Sequence, residues 1–347
     1  MTTRLPVIIF VLLCALVIPE TVQAQRGSYA AVAAGEYHGL VLKKDGTLWA
    51  FGNNDSGEIG DGTRRKRSTP VKVLSGIKAM AAGGQHSMAI TDDGSLYAWG
   101  DNSKGQLGDG TTANRLKPVK VLSDVKQVAC GGWHTLAVLN DGSLYAWGSN
   151  DYGQLGDGSR RSHNTPVKVL SNVKEVVCDK GNGSTLAMLN DGSLYAWGDN
   201  QWGQLGDGTK TIRTSPVKIL SNVKSAAMGG RHGMAVLDDG SLYGWGVNNW
   251  YQLGDGTNTA HFKPVKIMSD VRQVSCGEFF TMTVRGDGSL YGWGMNEEGQ
   301  IGNGSKQTAR KPTRVEGGVK EVACGREFTI YITNAGDFKS VGKVYWR

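Results

Sequence analysis

The sequence predicts an all-β fold: a seven-bladed β-propeller of four-stranded antiparallel blades, with the last blade incomplete. Three observations predict it. Prolines recur at Pro70, Pro118, Pro166, Pro216, Pro264 and Pro312, in steps of 48 residues with one step of 50. Aromatic-glycine pairs keep the same beat at Phe51-Gly52, Trp99-Gly100, Trp147-Gly148, Trp197-Gly198, Trp245-Gly246 and Trp293-Gly294, with Val341-Gly342 as a degenerate seventh copy. Glycine is about twice its average usage, 51 of 347 residues, yet follows this period rather than the every-third-residue pattern of a triple helix. A period of this length marks a stacked or closed repeat, because one unit cannot bury both of its faces alone.

One unit shows why each element forms. Val125 to Gly131 is a run of small and β-branched residues, a first strand suited to the crowded axis. His134 to Asn140 is a second strand, and Asp141-Gly142 turns it back as a hairpin. Ser143 to Gly148 is a third strand, followed by a long polar loop holding Gly-Gln-Leu-Gly-Asp-Gly. Pro166 to Leu170 is a fourth, outermost strand, since only an edge tolerates a missing N–H. Four such strands per unit make a propeller blade. The blades run approximately over 29–76, 77–124, 125–172, 173–222, 223–270, 271–318 and 319–347, with inner strands starting near Tyr29, Ile77, Val125, Val173, Val223, Val271 and Val319. The seventh lacks a proline strand. Closure without a full exchanged strand is expected, and that blade is expected to be the least stable.

The N-terminus predicts export. Arg4 precedes an apolar stretch from Pro6 to Val17, and Val22-Gln23-Ala24 is a small-x-small cleavage site. Residues 1–24 are therefore expected to be a signal peptide, and 25–347 a single secreted, periplasmic or cell-surface propeller, monomeric, with no transmembrane segment. Leu12-Leu13-Cys14 is a poor context for a lipid anchor. The net charge of +7 is a moderate basic tilt.

Residues 128–158, with G-x-x-H before the second strand, D-G-x-L-Y-x-W-G at the third and G-Q-L-G-x-G after it, resemble the regulator of chromosome condensation repeat. The resemblance covers essentially all of 29–342 and implies a seven-bladed propeller. It implies no single activity: members of that family exchange nucleotide on a nuclear small GTPase, sense ultraviolet light in plants or, in exported bacterial forms, bind and inhibit partner proteins. Export disfavours GTPase exchange. Gly132-Trp133-His134-Thr135 echoes the photoreceptor pattern only faintly. The exported protein-binding members match best in size and address.

Positions repeated in every blade are explained by the blade, so function is sought where blades differ. His38, His86, His134 and His232 share a register with Ser184 (or Thr185), Phe280 and Phe328, which predicts packing rather than catalysis. Asp61, Asp109, Asp157, Asp207 and Asp255 each offer one carboxylate between glycines, an Asx-type turn rather than a cation site. Trp99, Trp147, Trp197, Trp245 and Trp293 are expected in the core. Cys130, Cys178, Cys276 and Cys324 share an inner-strand register with Ala34, Ala82 and Met228; small apolar packing explains them, and disulfides Cys130–Cys178 and Cys276–Cys324 are the alternative. No cofactor or metal is expected.

The loops sort onto two faces. The Asp-Gly hairpins share a monotonous one. On the other, the residue before the histidine register is Tyr37, Gln85, Trp133, Arg231, Phe279 or Glu327, and the long loops carry Tyr152, Trp202 and the pair Trp250-Tyr251. Tyr37, Trp133, Tyr152, Trp202, Arg231, Trp250, Tyr251 and Phe279 are therefore the candidate partner-binding residues, since Trp, Tyr and Arg dominate interface hot spots. Arg64, Arg65, Lys66, Arg67, Arg160 and Arg161 on the same face are the accessory basic set, suited to steering an acidic partner. The expected function is non-catalytic binding of a protein, as an inhibitor or adaptor. A carbohydrate or cell-wall-glycan module is the alternative, and nucleic acid the weaker choice. No G-x-S-x-G, H-E-x-x-H or phosphate loop is present; a hydrolase or lyase built across blades is the third reading, with the insertion Asp179 to Ser184 as its first suspect.

Overall fold

The computed structural model describes residues 29–179, 181 and 183–343. The signal-peptide and cleavage-site calls lie outside them. The described chain is seven antiparallel sheets in chain order, six of four strands and a last one of three. In the first blade the strands are Tyr29–Ala34, His38–Lys43, Leu48–Gly52 and Arg67–Leu74, paired in that order from the axis outward. Inner strands start at Tyr29, Ile77, Val125, Val173, Val223, Val271 and Val319, the positions read from the repeat.

The proline strand is outermost in every four-stranded blade and begins earlier than the sequence suggested. In the third blade it spans His163–Leu170. Its register breaks around Pro166: Ala146 pairs with Val167, but Gly148 pairs with His163. This bulge lets the strand extend past a residue that cannot donate to the ladder.

Stacking of neighbouring blades makes the core. Leu136, Val138, Leu144 and Leu155 of the third blade pack on Val173, Val176, Ala187 and Trp197 of the fourth, and each other interface repeats the pattern. Trp99, Trp147, Trp197, Trp245 and Trp293 are fully buried, as expected. Each donates its indole N–H to the preceding blade's long loop, for example Trp147 Nε1 to Gln106 O at 2.9 Å. The loop passes so close over the ring that it needs glycine: a Cβ on Gly108 (φ +79°) would stand 2.6 Å from Trp147 Nε1.

The three-stranded seventh blade (Val319–Cys324, Phe328–Thr333, Phe338–Gly342) closes directly on the first. Tyr29, Val32, Val41 and Phe51 pack against Phe328, Ile330, Ile332 and Phe338. Lys320 Nζ donates to Ala30 O at 3.1 Å, and Val32 N donates to Glu321 Oε1 at 3.3 Å. At the axis the turn backbones also reach from blade to blade: Glu36 N to Gly83 O, Gly230 N to Glu278 O, Glu278 N to Arg326 O and Arg326 N to Glu36 O.

Candidate binding face

Each short turn before a second strand is tied to its blade's long loop. Ser149 N donates to Trp133 O at 2.8 Å, Val247 N to Arg231 O at 2.9 Å, and Asn53 N to Tyr37 O at 3.0 Å. Turn and loop therefore stand side by side on one end of the ring. The Asp-Gly hairpins occupy the other end, where Gly142 O accepts from Val173 N of the next blade.

The long loops are stiff. A buried asparagine organises each: Asn150 Nδ2 donates to Asp157 Oδ1 and Arg161 O, and its Oδ1 accepts from Leu155 N at 3.0 Å. Asp157 Oδ1 also accepts from Ser159 N, while Oδ2 meets His163 Nε2 at 3.1 Å. The equivalent Asp61, Asp109 and Asp207 pair with Arg67, Arg115 and Arg213, and all three carboxyls sit below the usual range. Burial opposes that shift, and the neighbouring Thr and Arg donors outweigh it. The glutamine of each Gln-Leu-Gly pins the loop tip, accepting from the backbone N–H two residues earlier: Tyr152 N to Gln154 Oε1 at 2.9 Å, Trp202 N to Gln204 Oε1 at 3.0 Å and Trp250 N to Gln252 Oε1 at 2.9 Å.

The histidines are blade-to-blade ties. His86 Nε2 meets Thr135 Oγ1 of the next blade at 3.0 Å, and that hydroxyl donates to Gln106 O at 2.8 Å. His38, His134 and His232 make the same contact to Ser87, Thr185 and Thr281. Burial pulls His86, His134 and His232 down to about 3, so all three are neutral near pH 7. In the fourth blade Ser184, not Thr185, takes the register, facing Gly198. The inserted turn there is anchored by buried Asp179, whose Oδ1 accepts from Gly183 N and Ser184 N at 2.8 and 2.9 Å. The four cysteines are buried thiols of the inner strands, and burial pushes Cys178 well above its ordinary value.

Repeated Gly-x-x-His turns, tryptophans buried beneath the preceding blade's loop, and blade interfaces that repeat one pattern describe one repeat family. The RCC1-like domain model matches residues 15–270, and the regulator of chromosome condensation (RCC1) repeat model matches 271–300 and 287–332. The chain belongs to the RCC1-like family. The solved structure of human WBSCR16 is 25% identical, with a TM-score of 0.79 over 88% of this chain and 87% of that one. Prp20p from Saccharomyces cerevisiae, described together with its binding to Gsp1p and histones, is 26% identical, with a TM-score of 0.77 over 90% and 82%. Yeast RCC1 (Prp20) bound to Kap60 is 24% identical, with a TM-score of 0.78 over 91% and 80%.

On this RCC1-like ring the candidate aromatics stand out by exposure. Trp133, Tyr152, Trp202 and Trp250 are 50%, 40%, 43% and 39% exposed, whereas the blade tryptophans are fully buried. Arg231 lays its guanidinium over the Trp202 ring at 4.4 Å, joining the fifth blade's turn to the fourth blade's loop. Half-buried Tyr251 carries Arg310 over its ring at 5.1 Å. Trp133 and Tyr152 flank a cavity of about 210 Å³. Tyr37 and Phe279 are half-buried in their turns. Arg160 and Arg161 are exposed. Arg64 and Lys66 are exposed but engage Asp55 within their own loop, Arg65 is exposed, and Arg67 is committed to Asp61.

Sequence reasoning missed two sets of residues. One is the loop asparagines Asn54, Asn102, Asn150, Asn200, Asn248 and Asn296, whose signal was a recurring Asn two residues after each aromatic-glycine pair. The other is a charged cluster at the axis. Arg326 pairs with Glu36 at 2.8 Å and with Glu278 at 2.7 Å, and donates to the Tyr37 hydroxyl. Its signal lay one position before the turn residues compared above, where Glu36, Glu278 and Arg326 replace the glycines of other blades.

Proposed function

We propose that this RCC1-like propeller is an exported, non-catalytic protein that binds a partner protein through its diverse loop face. One observation carries the reading: Trp133, Tyr152, Trp202 and Trp250 are presented to solvent on a single face. The last three sit on backbone pinned by the loop glutamines. Large aromatics held rigidly lose little entropy on binding, which is what interface anchors require. Prp20p, of the same fold, has binding properties to Gsp1p and histones, which supports a binding role for this ring. The exposed Arg65, Arg160 and Arg161 suit an acidic partner surface. Export rests on the pattern of residues 1–24.

The test is capture from the native exterior by wild type and by a Trp202→Ala, Trp250→Ala double variant. The double variant is expected to lose the partner, each truncation costing about 2 kcal/mol, with its melting transition nearly unchanged. An identical captured profile from both proteins refutes the aromatic face.

A further inference from the structure

At the axis of the diverse face lies a cavity of about 350 Å³ to which all seven blades contribute. Its wall is uneven. One position after the turn glycine, the second, third and fifth blades carry Gly84, Gly132 and Gly230, and the second and third blades line the cavity with Gln85 and Trp133 instead. At the same position the first, sixth and seventh blades carry Glu36, Glu278 and Arg326.

The charged side is not balanced. The Arg326 guanidinium stands between two carboxylates, 2.8 Å from Glu36 Oε1 and 2.7 Å from Glu278 Oε2, and is further held by the Tyr37 hydroxyl. One cation between two anions leaves a surplus negative charge. Arg231 also lines the cavity, with its guanidinium held over the ring of Trp202, which is not part of the lining. The Glu278 carboxyl is held above the usual range, by burial first and by Glu36 and Glu327 against the pull of Arg326. On the remaining wall stands the half-exposed indole of Trp133, and Met228 lines the interior.

A wall that is apolar at Trp133 and Met228 and carries two carboxylates around one guanidinium on the opposite side suits a long apolar stem ending in a cation. The volume is at the small end of ligand cavities and admits a single side chain rather than a peptide. We infer that this cavity is a socket for one lysine or arginine side chain of a partner protein, with Trp133 against the stem and Glu36 and Glu278 receiving the charge. The inference rests on the protein-binding reading of this face and adds a basic anchor inserted at its centre.

The experiment titrates the full chain with Nα-acetyl-lysine methylamide, reading the Trp133 indole N–H resonance, which is assigned by its loss in Trp133→Phe. A saturable shift with millimolar affinity is expected, weakened at least about tenfold in a Glu36→Gln, Glu278→Gln variant. The norleucine and glutamate analogues are expected to leave the resonance in place. No shift with the lysine probe, or an equal shift with either analogue, overturns the socket. The two glutamates sit near the ring closure, so the variant's melting transition is measured first. Should it fail to fold, Trp133→Leu at an exposed position carries the test, read at the Gln85 side-chain amide, where loss of the lysine response is expected and an unchanged response overturns the inference. The titration needs no partner. Its failure therefore leaves the Trp202 and Trp250 capture result standing, and failure of capture leaves the titration standing.

Discussion

His86 Nε2 donates to Thr135 Oγ1 at 3.0 Å, across the seam between the second and third blades. The donor is assigned because the Thr135 hydroxyl spends its own proton on Gln106 O at 2.8 Å. The ring is therefore the neutral Nε2–H tautomer, and its buried Nδ1 finds no hydrogen-bond partner among the described residues, so a second proton there would be stranded. In the unfolded chain such a histidine protonates near pH 6.5, whereas in the fold it does so at about 3. Below pH 6.5 the unfolded state binds more protons, so this stability is full above pH 6.5 and is lost as pH falls toward 3. Each of His86, His134 and His232 is expected to cost about 2 kcal/mol at pH 5. His86→Phe copies the sixth and seventh blades, where Phe280 and Phe328 hold the same register. Urea midpoints measured from pH 7.5 to 4.5 are expected to fall less steeply in that variant. An unchanged slope contradicts the assignment.

The buried indoles predict a graded series. Trp147 is fully enclosed and donates to Gln106 O at 2.9 Å. Trp147→Ala is expected to cost about 3–5 kcal/mol through the cavity it leaves. Trp147→Phe is expected to cost only about 1–2 kcal/mol, because the first blade already uses Phe51 there and Gln106 O keeps the Thr135 hydroxyl. Denaturant unfolding checks the order; equal losses would mean that ring volume is not what the site reads.

The seventh blade was predicted from its missing proline strand, and the structure shows what that means locally. Among the described residues Phe338–Gly342 is an open edge, with Lys339 and Ser340 exposed where the third strand of other blades is covered by an outer strand. Amides of 319–342 are expected to exchange fastest among the blades, as the least stable unit opens first. Finding them the best protected would show that the contacts of Tyr29 and Phe51 with Phe338 outweigh the absent strand.

The residues legible in the sequence were those whose reason is local or repeated. Proline at an edge, Asp-Gly at a hairpin and Trp-Gly at a third strand each recur on the blade's own beat, so every inner strand start could be placed. The Arg326 cluster was not legible, because Glu36 lies 290 positions away in sequence and meets Arg326 only when the ring closes. Arg67 was counted among accessory charges for the opposite reason: a basic residue in a polar loop looks solvated until its Asp61 partner, six positions earlier, is seen in the same fold of the loop. The loop asparagines recurred plainly, yet a small polar residue among glycines reads as turn filler. Only geometry shows one side chain satisfying several backbone groups.

Asn102 tests that lesson. It is fully buried, its Nδ2 donates to Asp109 Oδ1, Thr111 O and Ala113 O, and its Oδ1 accepts from Leu107 N. Asn102→Ala strands the buried Leu107 N–H and is expected to cost about 2–3 kcal/mol. Asp109→Asn is expected to cost less, since Asn303 serves that position in the sixth blade and still accepts from Ser305 N at 3.0 Å. Comparing the two midpoints decides it; a larger loss for Asp109→Asn would make the Arg115 ion pair, not the amide, the loop's organiser.

Tyr251 is the position where a binding role and stability oppose each other. Its φ is +59°, in the left-handed region, while the equivalent Gly105, Gly153, Gly203 and Gly299 adopt φ of +74° to +77° without a side chain to strain. A non-glycine residue there costs about 1–2 kcal/mol. Local backbone strain of this kind concentrates at functional sites. Here the tyrosine holds Arg310 against its ring on the proposed binding face. Tyr251→Ala keeps the strain and discards the ring, whereas Tyr251→Gly discards both. The glycine variant is expected to be the more stable of the two by about 1 kcal/mol, even after glycine's greater freedom in the unfolded chain is counted. Both are expected to capture less partner than wild type. Thermal melts with parallel capture assays separate the two effects: if Tyr251→Ala melts higher than Tyr251→Gly, the strain is not there, and if both capture as wild type does, the ring is not part of the interface.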